Sequence, residues 1–312
     1  NNTTYNFTFV YSSTGGTGFG YIKCYINGVL QGTTNLTIAV PNTAYKANFG
    51  CRALSDTSPE VKGWFTMDNC LLWNRELTAQ EIFTLSSLSL ASPCDYSFSN
   101  VSLLLPMNGI NGSTTFTDYS PSPKTVTPAG NTNISTTQSK FGGSSAYFDG
   151  SGDYLSTPTN SAFAFGTGDF TIEFWLYRTG SGQQHLYEGR EGTTTNTLLI
   201  YLDASTYLSY YANGAKRIST TSIPTINTWV HIAMTRSGTS SKLFMDGIQV
   251  GSTYTDTFNY AAPTTSLYIG TNDVASGSFV NGYINDFRVT KGVARYTTNF
   301  TPPVAAFPTQ SC

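Results

Sequence analysis

Lys242-Leu243-Phe244-Met245-Asp246-Gly247-Ile248-Gln249-Val250-Gly251 decides the fold class of this chain. Apolar and polar residues alternate, the run breaks at Asp246-Gly247, and the alternation resumes. Asp-Gly between two alternating runs is the strongest short-range signal for a tight β-hairpin, because both central residues of that turn need positive φ. The same design stands 219 positions upstream as Lys23-Cys24-Tyr25-Ile26-Asn27-Gly28-Val29-Leu30-Gln31-Gly32, with Asn-Gly as the turn. Two copies at long spacing point to a repeated unit.

Working outward, the pattern stays that of strands. Tyr5, Phe7, Phe9 and Tyr11 alternate, a Gly-rich turn spans 15–20, and short strands are expected near 45–49 and 64–73, with a loop at Pro59 between them. Thr78-Ala79-Gln80-Glu81 has the form of a capping box, in which the Thr hydroxyl takes an amide proton and Glu81 reaches back, so a short helix is expected at about 78–86. A second unit starts at Cys94. Strands are expected at 101–107, in a hairpin over 145–155, and at 168–177, 185–189, 197–202, 206–211, 215–219, 229–235, 242–250, 266–270 and 282–290. The Pro-, Ser- and Thr-rich stretch 118–140 reads as a long surface loop. Many short alternating strands with Gly and Asn turns mean an all-β, two-sheet antiparallel jelly-roll sandwich.

The two copies align beyond the hairpin. Gly50 matches Gly270, Thr66 to Leu72 matches Tyr283 to Val289, and Cys94 matches Cys312. Residues 1–93 therefore read as the C-terminal part of a module, and 94–312 as a complete one. The counterpart of 95–228 is expected in front of Asn1. The chain has neither a starting Met nor a leader, so it is expected to be a processed form or a piece of something longer.

Bulk composition excludes several functions. The 312 residues carry 39% apolar, 14% aromatic and only 11% charged residues, for a net charge of −2. The absence of any Lys/Arg cluster argues against nucleic-acid binding. No apolar run approaches the length of a membrane span.

The order Phe141-Gly142-Gly143-Ser144-Ser145-Ala146-Tyr147-Phe148-Asp149-Gly150, Phe170-Thr171-Ile172-Glu173-Phe174-Trp175, Trp229-Val230-His231-Ile232-Ala233, Phe244-Met245-Asp246-Gly247 and Gly282-Tyr283-Ile284-Asn285-Asp286-Phe287-Arg288-Val289 resembles the laminin-G-like family of concanavalin A-like lectin/glucanase folds. The ending Thr290 to Pro303 is similar to copies in phage and marine microbial surface proteins. Asp68 to Thr78 is similar to another ending of the same family. The resemblance implies a jelly roll of about a dozen strands, in proteins that bind glycans or proteins, build extracellular assemblies, or sit beside enzymes. Fold alone does not choose among these.

Glucanases of this superfold need two carboxylates facing one another on a strand. Here Glu173 stands alone among Phe, Ile and Trp, while Glu188 and Glu191 lie three apart in a Gly-rich turn. No catalysis is expected. His231 reads as a half-buried strand residue with a satisfied ring. No cofactor is called for, although calcium at the sandwich rim is an option. Its candidates are Asp149 with Asp153, Asp203, and Asn272 with Asp273, all of which serve equally well as turn residues bonding their local backbone. Glycan contact would use aromatic faces and hydroxyls. In Thr206 to Ala212, Leu208 and Tyr210 point inward, leaving Tyr207, Ser209 and Tyr211 outward, with Tyr201 and Tyr187 as further candidates. Asn1, Asn2, Asn6, Asn35, Asn100, Asn111, Asn133 and Asn299 open glycosylation sequons, at a frequency that the Ser/Thr content alone accounts for. Of the five cysteines, Cys24 and Cys70 align with sandwich positions and Cys51 lies at a strand end. Cys94 and Cys312 occupy equivalent unit boundaries, so they can either close one module on itself or link successive modules. The reading is a non-catalytic, extracellular or virion-surface structural or adhesive protein of tandem modules. It self-associates, with 1–93 completed by another chain or segment. The alternative is a carbohydrate-binding module.

Overall fold

The computed structural model describes residues 7–12, 21–26, 29–35, 51–55, 58–62, 94–190, 197–272 and 275–312. The chain divides into two compact units, Asn1–Ser92 and Pro93–Cys312. In the first, strands β1 (Phe7–Ser12), β2 (Tyr21–Ile26) and β3 (Val29–Asn35) form an antiparallel sheet in that order. Strands β4 (Cys51–Ser55) and β5 (Ser58–Lys62) form a separate hairpin. The loop expected at Pro59 is thus a strand. Pro59 pairs with Ala53 where the register shifts on both sides, a place where a residue without an amide proton is tolerated. The helix expected at about 78–86 and the strands near 45–49 and 64–73 lie outside the described residues.

The second unit is all β. Its strands are β6 (Val101–Leu105), β7 (Thr127–Ala129), β8 (Asn133–Ser135), β9 (Ser145–Asp149), β10 (Tyr154–Pro158), β11 (Phe170–Arg178), β12 (Gln184–Glu188), β13 (Leu198–Leu202), β14 (Leu208–Ala212), β15 (Ala215–Ser219), β16 (Trp229–Ser237), β17 (Ser240–Met245), β18 (Ile248–Thr255), β19 (Ser266–Ile269) and β20 (Asn281–Lys291). Two antiparallel sheets form the sandwich. One runs β15-β14-β13-β12-β19-β10-β7. The other runs β18-β17-β16-β11-β20-β9-β8, with β6 also on β20. β9 pairs with the first half of β20 and β6 with its second half, so β20 joins both to the sheet. The three-residue strands β7 and β8 fall in the stretch read as a surface loop. Each is too short to show alternation in sequence.

The core lies between the sheets. Phe148, Phe174, Ile232, Leu243 and Phe287 come from one sheet, and Leu155, Leu186, Ile200, Tyr210 and Leu267 from the other. Alternation along each strand delivers these side chains to one face. The Asp246-Gly247 turn is formed, with φ of 48° and 76°. Met245 pairs with Ile248 across it, as Ile26 pairs with Val29 in the first unit. Gly247 is required twice over. Its φ is positive, and a Cβ there would stand 1.9 Å from the Phe300 carbonyl oxygen.

Candidate binding face

The two outer faces of the sandwich differ. Over the eight-stranded sheet runs the C-terminal segment 292–312. Tyr296 and Phe300 stack on each other, and Phe300 packs edge-on against Phe244 and His231. The Phe300 amide donates to the Gly247 carbonyl, the Phe307 amide to Asp286 Oδ2, and Lys242 Nζ to the Thr297 carbonyl. A disulfide between Cys94 and Cys312, with Cα atoms 4.8 Å apart, ties the end of this segment to the start of the unit.

Beneath the segment lies a buried ion cluster. Arg288 donates through Nε and Nη2 to Glu173 Oε1 and through Nη1 to Asp95, and Arg295 reaches Asp95 Oδ2 at 2.6 Å. The Tyr296 hydroxyl donates to Glu173 Oε2 at 2.7 Å. Burial alone would raise the Glu173 carboxyl, but the charge of Arg288, with His231 and Arg295, holds it at about 2. Asp286 has weaker support. One oxygen takes the Phe307 amide, the other is buried without a partner, and burial pushes the carboxyl up to about 7. His231 is fully buried rather than half-buried. Its Nε2 lies 3.4 Å from Glu173 Oε2 outside hydrogen-bond geometry, so the ring is not satisfied in the way its sequence pattern suggests. Covered in this way, Glu173 has no access to solvent.

The outer face of the seven-stranded sheet is built differently. Strand pairing puts Ser156, Tyr268, Glu188, Leu199, Tyr211 and Lys216 in one row across six strands. Residues directly opposite one another share a face, so the row lies on one face of the sheet, with Glu188 and Leu199 at its middle buried. A second row runs His185, Tyr201, Ser209 and Ser219. In β12 a bulge between His185 and Tyr187 shifts the alternation by one. His185 and Glu188 therefore both face outward, while Leu186 and Tyr187 both face the core.

That shift assembles a polar constellation. A carboxylate only accepts, so His185 Nδ1 donates to Glu188 Oε2 (2.9 Å), and the Gln183 amide, 2.9 Å from Nε2, donates to the ring. Arg190 donates through Nε to one Glu188 oxygen and through Nη2 to the other, a bidentate pair. The guanidinium lies 4.8 Å from the centre of the Tyr211 ring. Lys216 repeats the scheme, donating to Asp203 Oδ2 at 2.8 Å and lying 5.9 Å from the Tyr201 ring. Burial opposes ionisation of Asp203, but Lys216 and the amides of Tyr207 and Ser205 hold its carboxyl below the usual range. The Asp203 bond in turn raises Lys216.

The glycan candidates separate accordingly. Tyr207 and Tyr211 are half-buried. Tyr201 shares their face but is only 8% exposed. Tyr187 is corrected to a core residue. It is 1% exposed, with its ring parallel to Phe287, because the β12 bulge turns it inward. Half-buried Tyr154 and Tyr268, which the sequence did not single out, lie on the same outer face with rings 5.7 Å apart.

The calcium candidates have other partners. Asp153 accepts the amides of Asn131 and Asp149, Asp149 accepts that of Ser151, Asp203 is engaged as above, and Asn272 accepts that of Ser276. Asp273 lies outside the described residues. Among the described residues no group of three acidic, His or Cys side chains could hold a metal. Cys24 is a free, half-buried thiol. The Cys51 side chain and Cys70 lie outside the described residues, as do Asn1, Asn2, Asn6, Glu191 and the Asn35 side chain. Of the remaining sequons, Asn111 and Asn299 are exposed. The Asn100 and Asn133 amide groups donate to the carbonyls of Lys291 and Asn131.

A family model described as the concanavalin A-like lectin/glucanases superfamily matches residues 1–83 and 149–295, more than half the chain. The chain belongs to this superfamily. The two matched segments fall one in each unit, and the two-sheet sandwich is that expected of a superfamily member. No curated protein matches the chain. Among solved structures, one similar in fold is domain 4 of AbnA, a GH43 extracellular arabinanase from Geobacillus stearothermophilus, in complex with arabinotriose. It has 15% identity and a TM-score of 0.47 over 62% of this chain and 94% of that one. Another is the binding domain of Paraclostridial Mosquitocidal Protein 1, with 15% identity and a TM-score of 0.48 over 64% and 50%. A third is a botulinum neurotoxin type C structure whose cell entry depends on two ganglioside molecules, with 13% identity and a TM-score of 0.46 over 63% and 49%. The chain spans about half the length of the two toxin chains.

Proposed function

We propose that the second unit is a non-catalytic, glycan-binding adhesive module that binds through the outer face of its seven-stranded sheet. The observation that carries this is the inequality of the two faces. One is closed by segment 292–312, and the other presents Tyr154, Tyr207, Tyr211 and Tyr268 to solvent. Tyrosine faces joined to hydroxyls and fixed amides suit a sugar ring, which has an apolar face and a polar edge. The acidic groups do not suit hydrolysis. Glu173 is sealed and paired, and Glu188 is fully buried with its oxygens engaged by His185 and Arg190. The Cys94–Cys312 bond supports an extracellular or virion-surface location, since such bonds persist in oxidising surroundings. A glycan array probed with the wild type and with Tyr207→Ala and Tyr211→Ala tests the reading. Binding that is lost in Tyr211→Ala supports it. Binding unchanged in both variants, or absent in the wild type, refutes it.

A second reading concerns the first unit. We infer that 1–93 is the end of a module completed by another chain or segment, in a tandem or filamentous assembly. The hairpins align so that Cys24 occupies the position of Leu243, yet Leu243 is fully buried and Cys24 only half-buried. Hydrogen exchange of the β1–β3 amides followed against protein concentration tests this. Protection that rises with association supports it. Full protection in a dilute monomer overturns it.

A further inference from the structure

Segment 292–312 covers the eight-stranded sheet around His231 and Phe244, and one row beyond them the same outer face carries an aromatic stripe. Strand pairing sets Tyr147, Tyr283, Tyr177 and Trp229 opposite one another on β9, β20, β11 and β16. Their neighbours Phe148, Ile284, Leu176 and Val230 face the core, so all four rings point away from it. The rings form a chain with centroids 5.1, 5.8 and 5.5 Å apart. Three strand spacings make the stripe ~14 Å long. Tyr283 is buried, and the other three are half-buried.

Beside the Trp229 end of the stripe stands the loop 220–228, which leads into β16. It is pinned from within. Buried Arg178 donates through Nε to the Pro224 carbonyl, and the Asn227 amide donates to the Arg178 carbonyl. The Thr220 hydroxyl donates to the Leu208 carbonyl and accepts the Ser222 amide. Held in this way, the loop leaves Ile223 and Ile226 in solvent, at 41% and 46% exposure. No charged residue occurs in 220–229. Two exposed isoleucines beside an aromatic stripe make an apolar patch of the kind that marks a docking surface.

The chemistry of the patch selects its occupant. An anionic membrane or a nucleic acid needs Lys or Arg at the contact. Arg178, the cation at the edge of this patch, is buried and committed to the carbonyls of Pro224 and Gly180. A surface without charge meets a copy of itself without repulsion. A loop beside a flat stripe is also self-complementary about a two-fold axis, because the loop of each copy can lie on the stripe of the other. We propose that this patch is a homodimer interface, in which Ile223 and Ile226 of one copy pack on Trp229 and Tyr177 of a second. Trp and Tyr are residues on which interface energy concentrates. A stripe of this length with one loop offers less than the ~800 Å2 per partner of a standard stable interface, so the dimer is weak and forms where copies are crowded. The inference is independent of the glycan reading, which uses the opposite sheet, and of the completion of 1–93.

The test is sedimentation velocity of the full chain from micromolar to millimolar concentration, with hydroxyl-radical footprinting in parallel. The expected result is a reversible monomer–dimer equilibrium that salt does not weaken, with oxidation of Trp229 and Tyr177 falling as the dimer fills. Ile223→Asp and Ile226→Asp should each weaken association at least ~10-fold. Both side chains are exposed, so the thermal melt of each variant should stay cooperative. A wild type that is monomeric at every concentration overturns the proposal without requiring any variant to fold. A dimer that both variants leave intact also overturns it, since association then runs through another surface, 1–93 included. Dissociation by salt overturns the neutral contact. Protection of Trp229 that does not change with concentration shows the patch covered within the monomer, and overturns the dimer. A monomer that floats with phosphatidylcholine vesicles, and loses that property in Ile226→Asp, assigns the patch to a lipid surface instead.

Discussion

Replacing Asp286 by Asn should make the second unit more stable at neutral and alkaline pH. Asp286 sits at φ 54° in the bulge where β20 passes β11. Its carboxyl has one oxygen on the Phe307 amide and the other buried with no partner, and burial moves it from 3.8 to about 7. For an acid raised in this way, the folded state holds its proton over a range in which the unfolded state has lost it. Stability is therefore full below 3.8, declines as pH rises to about 7, and is level above. At 1.36 kcal/mol per pH unit the decline is ~4 kcal/mol, an upper figure because partial water entry relaxes a buried charge. Asn imitates the protonated acid. Its carbonyl accepts from Phe307, its NH2 replaces the partnerless oxygen, and Asn tolerates positive φ. Urea denaturation of wild type and Asp286→Asn at half-unit steps from pH 4.5 to 8.5 gives the difference free of other titrations. The curves should differ by only about 1 kcal/mol near pH 4.5 and separate to 2–4 kcal/mol near pH 8, with the variant the more stable. A constant difference across that range, or a variant less stable at pH 8, would refute the assignment of a protonated, strained carboxyl beneath the C-terminal segment.

Glu173→Gln removes the charge that Arg288 and Tyr296 share, and should destabilise the unit by ~3 kcal/mol in denaturant melts at pH 7. In the wild type the depressed Glu173 carboxyl makes the opposite contribution to that of Asp286. Its stabilisation is full above 4.5 and is lost as pH falls towards about 2, a slope that Glu173→Gln should remove from acid titrations. Gly247→Ala must place a methyl against the Phe300 carbonyl at positive φ, and should lower stability by at least ~1 kcal/mol, seen as a lower urea midpoint. Cys312→Ser opens a link between residues 218 apart. By chain entropy alone it should lower stability by up to ~5 kcal/mol, and reductant added to the wild type should reproduce the loss.

The hairpin at Asp246-Gly247 was legible in the sequence because its turn chemistry is local: two residues state the φ values, and the alternation on either side states the face. The sandwich followed for the same reason, strand by strand. The reading faltered where one residue changes the count. In β12 the bulge after His185 inverts the phase, so Tyr187, grouped with the outward tyrosines, belongs to the core. Glu188, set aside as three residues from Glu191 in a turn, comes to stand beside His185. No periodicity announces a bulge, so the Gln183–His185–Glu188–Arg190 constellation was out of reach, as were Tyr154 and Tyr268, which meet only through the pairing of β10 with β19. Tyr207 and Tyr211 lie on β14 and the residue leading into it, where alternation from the inward Leu208 and Tyr210 places them correctly. The cover over Glu173 and His231 was hidden for a different reason. Segment 292–312 has no regular pattern, and its contacts with β11, β16 and β17 join residues distant in sequence.

The Cys94–Cys312 bond also fixes how the second unit responds to pulling. Tension applied along the backbone at position 93 and at position 312 meets a covalent bridge before it meets any strand. With the Cα atoms of the bridge 4.8 Å apart, the loop it closes, spanning a sequence separation of 218, lies outside the line of force. The sandwich then hangs from the chain as a pendant whose sheets carry no load, and under oxidising conditions a pull that would unzip an open β-sandwich leaves both of its sheets intact.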